Sequence, residues 1–215
     1  MFFLGIETSY FNTGVGIIKE KEFLALNYSQ SWRHQENLFS LTFTALSHFG
    51  ITAKDLAGIG VSIGPGMFTS IRVGLSCAKS LALPHNIPIK GIDTFTGLAQ
   101  TFYTFFPEEG PVVIVLDAKR QSVYVAVYKN REMISQPVII SPQEVISLYQ
   151  DGIFLGSGLD AYPEVFKGKK VVQIYSPSPL VIASLAKEAI LRGERDDIAE
   201  LVPFYFRPPD IRLPV

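Results

Sequence analysis

Pro107-Glu108-Glu109-Gly110-Pro111-Val112-Val113-Ile114-Val115-Leu116-Asp117 is the stretch at which the chain begins its pattern a second time. Two prolines, a glycine and two adjacent carboxylates interrupt regular structure, and an unbroken apolar run follows at once, so one unit ends here and a new strand starts. On the N-terminal side, apolar runs over 2–6, 15–18 and 23–28, separated by the turn-rich segment 8–14 and by Lys19-Glu20-Lys21-Glu22, predict a three-strand meander. Beyond it the pattern predicts a helix over 33–49, a strand over 57–63 ending at Gly64-Pro65-Gly66 and a helix over 70–83 stopped by Pro84. A short strand over 88–92 and a helix over 94–105 complete the first unit. On the C-terminal side the order returns: strands over 112–116, 123–128 and 133–140, a helix over 142–150, a strand over 153–155, a helix over 159–166, a strand over 171–175 and a helix over 179–192.

The order βββαβαβα thus occurs twice without a residue-level repeat, which predicts an α/β fold of two lobes, residues 1–106 and 107–215. Within each lobe the meander supplies antiparallel strands and the helical crossovers supply parallel ones, and the cleft between lobes is the default ligand site. Residues 201–215, with Pro203, Pro208, Pro209 and Pro214, form a non-helical extension able to pack back or to reach a partner.

The chain has 215 residues, 47% of them hydrophobic, with 19 basic against 20 acidic side chains and a single cysteine. Such a balance gives no electrostatic footprint for autonomous nucleic-acid binding, so any RNA contact is expected to be indirect, shared with other chains. Only 18% of residues are charged, below the roughly 25% usual in globular domains, and 16 are phenylalanine, so part of the surface is expected to be apolar and to meet a partner. No apolar run approaches the ~18 residues of a membrane span and the N-terminus lacks a signal-peptide pattern, so the expected location is cytoplasmic, away from the membrane. Cys77, between Ser76 and Ala78, reads as a small packing residue.

Several strings invite a catalytic reading. Gly60-Val61-Ser62-Ile63-Gly64 matches a hydrolase elbow, but Ser62 falls inside the strand, the first acid after it is Asp93, and the last histidine, His85, precedes that acid. Gly64-Pro65-Gly66-Met67-Phe68-Thr69 lacks the Lys-Ser/Thr of a Walker A loop; it reads as a tight turn into a helix capped by Thr69 or Ser70, or as a turn whose free N–H groups meet a phosphate. Gly156-Ser157-Gly158-Leu159-Asp160-Ala161 fits a dinucleotide loop between strand and helix, but the next strand ends without the ribose-binding acid. His34, His48 and His85 stand on separate segments without ligand spacing, so no metal is expected. Glu7, Asp93 and Asp117 lie at predicted strand ends, as turn or capping residues or as groups facing the cleft. No catalytic residue is assigned.

The helices are more informative. At 100° per residue, Leu38, Leu41, Ala45 and Phe49 make one stripe on the helix over 33–49, and Phe39, Phe43 and Leu46 make a second beside it. Together they span roughly 200°, against the ~100° a surface helix needs for its own core. On the helix over 70–83, Gly74, Cys77, Ala78 and Ala82, flanked by Ile71, Leu75 and Leu81, form a face of small residues that admits close helix approach. Either both helices are central in this domain, or they form a helix-to-helix interface with another protein, the expected interface then being His34, Leu38, Leu41, Ala45, Ile71, Gly74, Leu75, Ala78 and Ala82.

Leu4-Gly5-Ile6-Glu7-Thr8-Ser9, Trp32-Arg33-His34-Gln35-Glu36-Asn37-Leu38 and Gly64-Pro65-Gly66-Met67-Phe68-Thr69-Ser70-Ile71-Arg72-Val73-Gly74 occur in order, followed by Leu116-Asp117-Ala118-Lys119-Arg120 and Pro203-Phe204-Tyr205-Phe206-Arg207. In these motifs, and through nearly its whole length, the chain resembles the TsaB (YeaZ) family. The resemblance implies the superfold of actin-like ATPases, sugar kinases and Hsp70, in agreement with the duplicated pattern. It also implies a catalytically silent subunit in the formation of N6-threonylcarbamoyladenosine at position 37 of tRNAs reading ANN codons. The paralogue TsaD transfers the threonylcarbamoyl group with a metal held by a His-x-x-x-His pair; here Thr94 and Leu98 stand in those places. Docking onto TsaD through the two helices is implied, as are TsaE, an ATPase, and TsaC, which makes the activated intermediate, with no cofactor of the chain's own. Met67 and Ser70 depart from the family's G-P-G-S-F-T-G loop, against a phosphate contact there. A homodimer is expected when the paralogue is absent. The alternative is an ATP-dependent phosphotransferase or nucleotide-binding protein of the same superfold, with Glu7, Thr8, Asp117, Gly156 and Gly158 on nucleotide-facing turns.

Overall fold

The computed structural model describes residues 1–29, 34–107 and 110–206. Strands β1 (Phe2–Glu7), β2 (Asn12–Lys19), β3 (Glu22–Ser29), β4 (Leu56–Gly64) and β5 (Ile89–Asp93) form one sheet in the order β3-β2-β1-β4-β5. Strands β6 (Val112–Asp117), β7 (Val123–Lys129), β8 (Glu132–Ile140) and β9 (Ile153–Leu155) form a second, β8-β7-β6-β9. The meanders pair antiparallel, and β1 with β4, β4 with β5 and β6 with β9 pair parallel. Both sheets thus repeat one winding through their first four strands, and the second has no counterpart of β5 among the described residues.

Helices α1 (His34–His48) and α2 (Phe68–Ala82) cover the outer face of the first sheet, where Leu4, Ile6, Val15, Ile59 and Val61 meet Leu38, Ala45, Leu75 and Ala78. Helices α4 (Pro142–Leu148) and α5 (Ser157–Ala161) close the outer face of the second, where Val113, Val115 and Val125 meet Val145 and Leu159. Helix α3 (Thr94–Phe105) follows β5 yet packs Phe95, Leu98 and Phe102 against Ile114, Leu116 and Ala126 of the second sheet. Helix α6 (Pro179–Leu191) follows the second sheet yet lies on β1, β2 and β4 of the first. Each half therefore sends its last helix toward the other.

The approach of α6 is so close that side chains are excluded beneath it. Gly16, Gly5 and Gly60 are cross-strand neighbours on β2, β1 and β4, and a Cβ on Gly16 would lie 2.8 Å from Leu180 N, on Gly60 2.6 Å from Ile182 O. Glycine is the residue that permits backbone to lie against a sheet at this distance.

Three sequence expectations need correction. No named strand forms over 171–175: Val171 makes a single bridge to Phe154, and although the Gly156 N–H still reaches the Ile174 carbonyl (2.9 Å), the Ile174 N–H turns back to the Val172 carbonyl (2.8 Å). The helix expected over 159–166 is Ser157–Ala161, because Pro163 drives Tyr162 out of helical geometry (φ −135°, ψ 55°). Helix α2 begins at Phe68 with Met67 as its cap, two residues before the expected start, so Thr69 and Ser70 lie within it. The Gly64-Pro65-Gly66 turn has already aimed the chain, with Met67 N–H on the Ser9 carbonyl (2.9 Å).

Candidate functional site

The turn that leaves β1 is anchored by a buried carboxylate. Glu7 accepts the Ser9 N–H (2.6 Å) and the Ser9 hydroxyl on Oε1, and the Ser62 hydroxyl of β4 on Oε2. Burial pushes the Glu7 carboxyl from 4.5 up to about 7 against the pull of those three hydrogen bonds. Ser62 is thus a buried strand residue serving Glu7, not an exposed nucleophile. The buried Thr8 Oγ1 has no hydrogen-bond partner among the described residues, and a Cβ on Gly74 of α2 would collide with it. A Cβ on Gly66 would collide in the same way with the Ser9 carbonyl. Glu7 and Thr8, expected on a nucleotide-facing turn, are instead buried between β4 and α2, because the turn is clamped from below by the glycines of the 64–74 motif.

Asp117, Gly156 and Gly158 do come together. Asp117 ends β6 with its N–H on the Ser157 hydroxyl (3.1 Å), and Gly156, at φ 110°, and Gly158 both press against Val115. The Asp117 carboxylate is engaged by Lys119 through both its backbone N–H (2.8 Å) and its Nζ (2.6 Å). Facing them from the β1–β2 turn is Tyr10, whose hydroxyl donates to Asp160 Oδ2 on α5 (3.0 Å) while its ring meets Phe11 and Tyr175. Burial first, then Asp160, raises the Tyr10 hydroxyl above its ordinary range. Tyr10 is the cleft residue sequence reasoning missed; the signal available was an aromatic pair, Tyr10-Phe11, inside a polar turn.

Beside Tyr175 runs a groove of about 610 Å³, whose rim includes Asn12, Asn27, Phe105, Phe106 and Gln173, with no charged side chain among the described residues that line it. Asp93, a candidate acid, is the cap of α3 and accepts the Thr96 N–H (2.9 Å). Thr94 and Leu98 are buried on the same helix. Among the described residues no three His, Cys, Asp or Glu side chains cluster closely enough to hold a metal.

The expected partner-interface residues fall differently from the angular arithmetic. Leu38, Ala45, Ile71, Gly74, Leu75, Ala78 and Ala82 are buried in the chain's own interior, and Leu41 is half-buried against the same core. The sheet beneath α1 and α2 uses these positions; Leu46 joins them, while Thr42 reaches the buried Cys77, whose thiol burial pushes up to about 11. Phe39 and Phe43, one turn apart, stay 63% and 74% exposed. The wide apolar arc is real, but its outer half, not the half with Leu38 and Ala45, faces outward. The His34 side chain lies outside the described residues.

Two sheets wound alike through their first four strands, with the turns after β1, β6 and β9 brought together at Tyr10, Asp117 and Asp160, define a duplicated α/β protein. Residues 29–192 match the family TsaD, tRNA N6-adenosine threonylcarbamoyltransferase. The chain belongs to that family. It is 25% identical to the tRNA threonylcarbamoyladenosine biosynthesis protein TsaB of Bacillus subtilis (strain 168), over 96% of this chain and 94% of that one. It is 37% identical to the tRNA N6-adenosine threonylcarbamoyltransferase of Tropheryma whipplei (strain Twist), over 52% of this chain and 32% of that one. The solved structure of YeaZ from Pseudomonas aeruginosa superposes with a TM-score of 0.82 at 23% identity, over 95% of this chain and 99% of that one, which shows the shared fold.

Proposed function

We propose that the chain is a non-catalytic partner of a TsaD-type threonylcarbamoyl transferase in forming N6-threonylcarbamoyladenosine at position 37 of tRNAs reading ANN codons. The observation that carries this is the exposed pair Phe39 and Phe43 on a helix whose opposite side is already committed to the core. Large exposed aromatics grouped on one helix face mark a surface that another protein covers. Kinship in sequence to proteins named both TsaB and TsaD supports a partner that is a paralogue. The half of residues 1–106 carries the docking helices and the half of residues 107–215 supplies the second sheet, with α3 and α6 exchanged between the halves. TsaE and TsaC act in the same process, tRNA is met indirectly, and the chain pairs with itself when the paralogue is absent. Among the described residues no helix is long and apolar enough to cross a membrane, and a cytoplasmic location is part of the proposal.

The ATP-dependent alternative is not favoured, since Lys119 engages the Asp117 carboxylate and Tyr10 spans the cleft to Asp160. The deciding experiment reconstitutes TsaC, TsaD, TsaE, ATP, threonine, bicarbonate and tRNA with or without the chain, and quantifies the modified nucleoside by mass spectrometry. Product only when the chain is present is the expected result; equal product without it removes the proposal. Calorimetry with ATP and Mg²⁺ tests the alternative, for which micromolar binding lost in Asp117→Ala is the requirement.

A further inference from the structure

The segment after Leu201 crosses the molecule in three consecutive residues. The Phe204 N–H donates to the Ile63 carbonyl at the end of β4 (2.7 Å). The Tyr205 ring stacks on Phe68, the first residue of α2, with centroids 5.2 Å apart and planes 26° apart. Arg72, one turn further along α2, lays its guanidinium over the same Phe68 ring (3.8 Å) and donates from Nε to the Tyr205 hydroxyl (3.0 Å). Phe206 then leaves the first lobe and packs on Tyr124 of β7 (5.3 Å).

This arrangement is not ordinary core formation. Phe68 and Arg72 remain exposed, so the stack encloses little. What it does achieve is to fix Arg72, whose long side chain would otherwise sample many rotamers, in one place. Among the described residues Arg72 forms no ion pair, so its charge is presented outward. It stands on α2, which packs against α1, the helix that carries the exposed Phe39 and Phe43. Arginine and tyrosine held rigid on an exposed face are the residue types that dominate protein interfaces, and ordering them beforehand lowers what association must overcome.

We propose that Tyr205 is a positioning residue for the docking face: it holds Arg72 over Phe68 at the start of α2, ready for a carboxylate on the TsaD-type partner. Through Phe206 on Tyr124, the same tail ties that end of the face to the second lobe. The inference rests on the docking function proposed above and adds to it the tail and the chemistry of one contact.

The test uses the full chain and its purified TsaD-type partner. Tyr205→Ala, Tyr205→Phe, Arg72→Ala and the Tyr205→Ala/Arg72→Ala pair are compared with Val202→Ala, an exposed tail residue, by hydrogen exchange over 68–76 and by calorimetric titration. Tyr205→Ala is expected to speed exchange over 68–76 and to weaken binding about tenfold, and Tyr205→Phe, which keeps the stack but loses the hydrogen bond, about threefold. The pair is expected to lose no more than about the larger single loss, because both changes remove one arrangement. Val202→Ala should match the unaltered chain. Should Tyr205→Ala fail to fold, Tyr205→Phe carries the comparison. Unchanged exchange over 68–76, or binding that survives Tyr205→Ala or adds independently in the pair, overturns the role of Tyr205 alone. Absence of binding by the unaltered chain overturns the docking function and this role with it.

Discussion

Gly5 lies directly beneath Pro179: a Cβ at Gly5 would collide with the Pro179 carbonyl oxygen and stand 2.6 Å from the Ala183 amide nitrogen. Neither obstacle is a flexible side chain, so α6 itself must lift from the sheet to admit a methyl group. Gly5→Ala is expected to destabilise the chain by about 3 kcal/mol or more, the upper range for overpacking. Gly50→Ala is the comparison: at φ 63° with open space around it, it meets backbone strain alone, about 1 kcal/mol. Urea denaturation of both variants checks the order, and equal stability would mean that α6 is not seated as described.

Glu7 makes stability depend on pH in a window that can be stated in advance. Unfolded, its carboxyl releases a proton near 4.5; folded and buried, near 7. Between those values the folded state holds the additional proton, so the Glu7 contribution to stability is full below pH 4.5 and falls as pH rises through 7. The fall amounts to about 3 kcal/mol. Glu7→Gln cannot titrate, so the stability of the unaltered chain relative to this variant should be greater at pH 5 than at pH 8 by about three quarters of that amount. Denaturation curves at the two pH values decide it, and a difference that does not move with pH would refute the burial argument.

How far the sequence reaches is visible in which of these residues it exposes. The repeated βββαβα order and the division of strands between two sheets follow from periodicity and turn residues, which are local, whereas the last strand expected in the second half does not form. The seating of α6 is not local: Gly5, Gly16 and Gly60 are distant in sequence and become a stripe only once β2, β1 and β4 are side by side. The same limit separates Leu38 from Phe39. Angular arithmetic detects that α1 has two apolar sides, but only the neighbouring sheet determines which one is covered. Asp117, Gly156 and Gly158 were legible as strand-end turns, whereas Tyr10 was not, since its partner Asp160 is 150 positions away.

The Tyr10 hydroxyl and Asp160 form one link across the cleft, and Tyr10→Phe removes it while preserving the ring against Phe11 and Tyr175. A net loss of about 1 kcal/mol is expected, the usual value for one such hydrogen bond. Asp160→Asn should cost less, because the amide oxygen still accepts. Chemical denaturation checks both, and a Tyr10→Phe variant as stable as the unaltered chain would show that the cleft is held by other contacts.

Phe43 and Leu38 stand on one helix and should respond in opposite ways. Leu38 is fully buried, so Leu38→Ala is expected to cost about 2–5 kcal/mol of stability through the cavity it leaves. Phe39→Ser and Phe43→Ser remove exposed rings, and each should leave stability within about 0.5 kcal/mol. Binding reverses the order. If Phe39 and Phe43 are anchors for the partner, the double serine variant should bind a TsaD-type paralogue at least about thirtyfold more weakly, a loss typical of interface hot spots. Paired denaturation and titration measurements separate the two effects. A double variant that folds normally and still binds as tightly would move the docking surface off α1, leaving Phe39 and Phe43 as exposed aromatics without a partner.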